Sequence, residues 1–199
     1  MQTETEQPQV AAPKNEPEKK PKNVKKEILS WILTLGSAVV IALLIRTFLF
    51  EPIRVDGGSM MDTLQNGEIM FVTKPEYLFG EPQRGDVVIC KYPGRTENFV
   101  KRLMGVPGDV IEVRSNVVYR NGEALEEPYL TADRNDDGFS MEAYTLGEGE
   151  YFVMGDNRDN SHDCRNYYGY GQPTALTRDQ IIGHVRCVLF PFSGIRGIE

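Results

Sequence analysis

The stretch "ILSWILTLGSAVVIALLIRTFLF", residues 28–50, limits what this chain can become more than any other. Its first 18 residues carry no charge, and at about 1.5 Å per residue its full length spans a hydrocarbon layer of about 30 Å. A helix buried in a soluble core would show a polar face, and this run offers only Ser and Thr. A cleaved leader would be shorter and end in a small-x-small site, which "FLFEPIRV" lacks. An uncleaved transmembrane anchor fits. Trp31 suits one membrane interface, and Arg46 can extend its guanidinium out of the other. The run "KKPKNVKK" at 19–26 holds five lysines and no acid, which predicts a cytoplasmic N-terminus and an extracytoplasmic body.

Composition divides the rest. Residues 1–27, rich in Gln, Glu, Pro and Lys, read as a disordered cytoplasmic tail, because they have too little apolar surface to offset ordering entropy. From Glu51 onward there are 15 Lys+Arg against 24 Asp+Glu, a net of −9, which argues against nucleic acid as a partner. Three cysteines without CxxC spacing (Cys90, Cys164, Cys187) argue against a zinc site or a disulfide scaffold and allow at most one internal disulfide.

Residues 51–199 read as one mostly β domain. Strands are expected at 86–90, 98–106, 109–123, 150–156 and 181–190, where β-branched and aromatic residues cluster between Gly, Pro, Asn and Asp. "RNG" at 120–122 is a hairpin signal. "RGD" at 84–86 reads as a turn entering a strand, and 131–149 as a surface loop. Within that loop "DRNDDG" imitates the start of a calcium loop, but position 12 is Tyr144, not a bidentate acid.

"DGGSMMDTL", 56–64, holds a serine behind two glycines, and a nucleophilic serine needs a base. His162 and His184 have no local feature to recommend them. In "FVKRLMGVPGD", 99–109, strand alternation puts Phe99, Lys101 and Leu103 on one face and Val100, Arg102 and Met104 on the other. If the first face is inside, Lys101 is buried, its pKa falls, and a neutral amine can take a serine proton. If Arg102 packs inward instead, Lys101 is an exposed strand lysine; periodicity does not decide between them. "GDNRDNSHDCR", 155–165, could supply ion pairs through Asp156, Arg158, Asp163 and Arg165, with Ser161 held against the amine.

Together "GGSMMDTL", "RGDVVIC", "FVKRLMGVPGDVIEV" and "GDNRDNSHDCR", in this order behind an anchor, resemble the type I signal peptidases, membrane-bound Ser–Lys proteases that remove signal peptides from exported preproteins. The likeness covers about 28–199, the tail "GHVRCVLFPFSGIRGIE" included. It implies an antiparallel, barrel-like β peptidase domain that uses no metal or cofactor. It implies that Ser59 is the nucleophile, its backbone N–H serves the oxyanion, Lys101 is the general base and Ser161 orients the lysine. Arg102 and the ion pairs of 156–165 would support them. Met60, Leu64 and Phe99 would line the pocket for the residue before the cut. Ile53, Val55 and Val100 would line the shallower site two residues back.

The chain departs from that family's pattern in three places. Asp62 stands where Pro is usual, and should raise the pKa of Lys101 if it lies near. Gly57 stands where a Ser or Thr hydroxyl often serves the oxyanion, and Cys164 where Ser is common. Two rivals remain open at this point. One is a self-cleaving repressor of related fold, which would carry a DNA-binding domain. The other is an anchored β domain that binds secreted peptides without cutting them.

Overall fold

The computed structural model describes residues 24–48, 50–61, 63–165 and 172–198. The chain divides into two units, the first running to Ile41 and the second from Ala42 onward. Most of the expected tail and the whole question of Asp62 lie outside the described residues.

Helix α1, Val24–Phe48, is 25 residues long, and its window to Arg46 has a mean hydropathy of 2.5. Its large apolar side chains, Trp31, Leu35 and Val40 among them, are exposed. The helix ends at Phe48 and Phe50 already belongs to a strand, so the apolar run expected to end at residue 50 is helical only to 48.

The body is built from antiparallel strands. One sheet has the order β1 (Phe50–Arg54), β2 (Ile69–Thr73), β11 (Ile181–Phe190), β3 (Val87–Cys90), β4 (Phe99–Gly105), β9 (Glu150–Met154), β10 (Leu176–Thr177), and β12 (Arg196–Gly197) pairs with β11. The long β11 gives its first half to β3 and its second half to β12, while β2 runs along its other edge. A smaller sheet has the order β7 (Glu123–Ala124), β6 (Val117–Arg120), β5 (Val110–Arg114), β8 (Met141–Thr145). A short helix α2, Pro75–Phe79, follows β2.

Local chemistry explains the turns. Asn121 (φ 54°) and Gly122 (φ 85°) link β6 to β7 in the left-handed conformation, as "RNG" signalled. Ser115 and Asn116, also at positive φ, link β5 to β6, so the expected single strand 109–123 is a hairpin and a half. Residues 131–149 are not all loop: β8 pairs there with β5. Of β8 only Met141 is buried, so its apolar alternation is too faint to read.

Two apolar clusters fill the body. One gathers Val88, Cys90, Leu103, Ile111, Phe152 and Met154. The other gathers Val55, Met60, Leu64, Val72, Ile89 and Val185. The central strand β4 is covered on both faces, so Lys101 and Arg102 are both 2% exposed. The choice between an inward lysine and an inward arginine was therefore false.

Candidate active site

The segment after β1 turns back through residues 57–61. Gly57 has φ +100°, a conformation that side-chain-bearing residues rarely adopt, and its amide donates to Asn66 Oδ1 at 3.0 Å. Met60 and Leu64, 2% and 0% exposed, sink into the second cluster and anchor the chain that follows Ser59. Ser59, just before them, is left half-buried. Across from it, Lys101 sits on β4 opposite Val88 of β3, with Nζ 2.7 Å from Ser59 Oγ. Burial pushes the Lys101 pKa below its ordinary value. The Asp163 carboxylate opposes that shift, and Arg165 adds to it.

Behind Ser59 lies the segment 155–158. The Asn157 amide donates to Ser59 O at 3.0 Å and its side-chain Nδ2 to Gly58 O at 2.9 Å, pinning the peptide that carries the serine. Gly155 passes so close that a Cβ there would lie 2.5 Å from Ser59 O and 2.2 Å from Ser161 Oγ. Charged neighbours fix this segment in turn. Arg102 grips Asp156 with two hydrogen bonds of 3.0 and 2.9 Å and donates to Gly85 O. Thr63 Oγ1 donates to Asp156 Oδ2 at 2.5 Å. Arg165 donates to both oxygens of Asp163, and Oδ2 also accepts the Gly155 amide. Burial would raise the Asp163 pKa, but Arg165 and the Gly155 amide draw it down, so it stays a carboxylate. Arg158 pairs with Glu127, not with an acid of its own motif.

A cleft of about 350 Å³ opens beside Ser59. Ile53, Val55, Met60, Phe99 and Val100 line it, with Ile89 beneath and Arg54, Asp56 and Glu97 at its margins. Leu64, expected in this lining, is fully enclosed in the core instead, because the turn after Met60 folds it inward. Ser161 differs too. Its hydroxyl is buried beside Gly155 and makes no hydrogen bond to Lys101 or to any other group among the described residues. His162 is exposed, and His184 faces Glu76 and stacks on Tyr77. Among the described residues no cluster of three His, Cys, Asp or Glu could hold a metal ion.

Sequence reasoning missed Gly155, Asn157, Thr63, Glu127 and Tyr129. The first three lie inside or beside the quoted motifs and carry no charge to mark them: Gly155 and Asn157 act on backbone, and Thr63 through its hydroxyl on Asp156. Glu127 and Tyr129 lie in no motif and reach the site only through the fold.

A half-buried serine hydroxyl in contact with a buried lysine amine, beside a cleft on an antiparallel β body, is the arrangement that a serine endopeptidase of the Ser–Lys type requires. The comparisons with known proteins agree. Residues 28–190 match the family described as signal peptidase, peptidase S26, and the chain belongs to that family. Signal peptidase I S of Bacillus subtilis is 42% identical over 180 residues, covering 86% of this chain and 94% of that one. Signal peptidase I of Bacillus licheniformis is 40% identical over 192 residues, covering 90% and 97%. A solved signal peptidase I from Enterococcus faecalis is 32% identical and covers 52% of this chain and 96% of that one, at a TM-score of 0.42.

Proposed function

We propose that this chain removes signal peptides from exported preproteins at the outer face of a membrane, with Ser59 as nucleophile and Lys101 as general base. The observation that carries the reading is the 2.7 Å contact between Lys101 Nζ and Ser59 Oγ inside a site where the lysine is 2% exposed. In the neutral form that burial favours, Nζ takes the Oγ proton as Oγ bonds to the scissile carbonyl carbon. The resulting ammonium returns a proton to the leaving amine as the peptide C–N bond breaks. Water then enters and gives a proton to Nζ as its oxygen bonds to the acyl carbon; the C–Oγ bond breaks and Oγ takes the proton back from the ammonium, freeing the acid and Ser59. The Ser59 N–H is the donor assigned to the oxyanion. The Gly57 amide is already bonded to Asn66, and Gly57 has no hydroxyl to add.

The cleft supports small side chains before the cut. Met60, Phe99, Ile53, Val55 and Val100 narrow it with carbon, and the charged residues of its lining, Arg54, Asp56, Arg95 and Glu97, are exposed. The edge position of β1, paired with β2 alone in the sheet path, supports an extended substrate that adds as a strand beside the cleft. Helix α1 supports bilayer anchoring, and the five lysines at 19–26 support a cytoplasmic tail and an extracytoplasmic domain over 51–199.

The test is cleavage of a preprotein by the full chain in detergent micelles. Ser59→Ala and Lys101→Ala should each abolish it, while His162→Ala and His184→Ala should leave most of it. Loss of cleavage in a folded histidine variant would sink the Ser–Lys assignment.

A further inference from the structure

The connection between β7 and β8 carries "EEPYL", 126–130, outside every motif that marks the site. Two of its side chains nevertheless reach the groups that stand behind Ser59. The Tyr129 ring lies on the Arg102 guanidinium, 3.8 Å from carbon to ring centroid. Its hydroxyl donates to Glu127 Oε1 at 2.6 Å. Glu127 uses both oxygens to hold Arg158, whose side chain is 1% exposed.

Arg102 and Arg158 do equivalent work on one segment. Arg102 grips Asp156, and Arg158 Nε donates to Gly155 O at 3.0 Å. Between them runs the chain that gives Asn157 N–H to Ser59 O. One aromatic ring and one carboxylate, bonded to each other, thus brace both arginines that fix residues 155–157. A π face suits a guanidinium already committed at its edges, because it adds attraction without competing for N–H donors. A carboxylate with two oxygens suits a buried arginine that would otherwise be an unpaired charge.

We propose that Tyr129 and Glu127 are positioning residues for the catalytic serine, acting through Arg102 and Arg158 on the 155–157 segment. The inference rests on the Ser59–Lys101 reading and extends the active site to a strap contributed from the side of the small sheet. Its consequence is specific. The pair touches neither the cleft nor Lys101, so losing it should misplace Ser59 without altering substrate contacts.

The experiment measures kcat and KM of the full chain in detergent micelles on one peptide bearing a small-x-small site, beside thermal melting. Tyr129→Leu and Glu127→Gln should lower kcat about 10-fold to 100-fold, the range expected when a reacting group moves by up to about 1 Å. KM should stay within about two-fold, since uniform binding is untouched. Tyr129→Phe keeps the ring on Arg102 and should retain most of the activity that Tyr129→Leu loses. Glu127→Gln leaves Arg158 buried and unpaired, so it should also melt lower. Glu127→Gln with Arg158→Met removes that charge and should recover melting temperature while kcat stays low. A folded single variant with wild-type kcat would overturn the inference, as would a double variant whose kcat returns with its stability. Ser59→Ala in the same assay separates the two levels. Retained activity there would remove the dyad reading itself. A dead Ser59→Ala beside fully active Tyr129 and Glu127 variants would remove only the strap.

Discussion

Gly155 has room for a hydrogen and nothing larger. A methyl group there would meet the carbonyl oxygen of Ser59 at 2.5 Å, and that oxygen belongs to backbone that Asn157 already pins. The Ser161 hydroxyl, 2.2 Å from the same methyl, could turn away, but the backbone could not. Gly155→Ala should therefore shift Ser59 from Lys101, lowering kcat about 100-fold and stability by about 1–3 kcal/mol; a crystal structure or an activity and melting comparison checks it. Lys101 carries a second prediction. Its pKa is depressed by burial and held up by Asp163. Asp163→Asn removes the carboxylate that favours the ammonium, and it leaves the Arg165 charge to disfavour it further. Both changes lower the folded-state pKa, so the acidic limb of kcat/KM should move to lower pH even if the maximum rate falls. A limb that moves upward would contradict the sign; a fixed limb would separate Asp163 from the titration.

At the scale of elements, Glu76 ties three of them together. It sits in α2, receives the Thr73 hydroxyl of β2 at 2.5 Å, and binds His184 Nδ1 and Arg186 of β11. Burial would raise its pKa, but Arg186, Thr73 and His184 hold it down to about 2. A depressed carboxylate contributes stability that is complete above its unfolded pKa of about 4.5 and is lost as pH falls toward about 2. Melting temperature should drop through that window, and Glu76→Gln should flatten the drop; equal slopes in both proteins would show the junction to be indifferent to that charge. The strands this junction joins were unevenly legible. β3, β4 and β9 announced themselves because strands covered on both faces are rich in Val, Ile, Leu and Met, and β11 through the length of its β-branched and apolar run. β1 hides because Pro52 and two charges interrupt it, which an edge strand tolerates and a central one does not. β8 hides because only one of its side chains is buried. Ser59 and Lys101 were legible through the order of motifs, and Asp156, Asp163 and Arg165 through the charge density of 155–165. Glu127 and Tyr129 were not, because only the fold brings them to the two arginines.

At the scale of the whole molecule, chemistry and anchor must lie on one side of a membrane for the proposed reaction to be useful. A signal peptide's cut site emerges close to the bilayer, so the nucleophile must stay close too. Ser59 follows Phe50 by nine residues, which at about 3.3 Å per extended residue caps the distance from the strand's first residue at about 30 Å. Which side the domain occupies is a matter of charge. Five lysines lie within 19–26, before and in the first turn of α1, whereas the 20 residues after the helix bring only Arg54 and four acids. Positively charged flanks are retained in the cytoplasm, so the tail should stay inside and residues 51–199 should cross. Protease added to intact spheroplasts should digest the domain and spare the tail. Replacing Lys19, Lys20, Lys22, Lys25 and Lys26 with Gln should leave Arg46 and Arg54 as the basic residues nearest the span. A fraction of chains should then insert inverted, with the domain protected. That fraction should be silent toward exported preproteins in the same cells. Full protection of the unaltered domain would reverse the topology, and an unchanged digestion pattern after the five substitutions would show that the lysines do not set it.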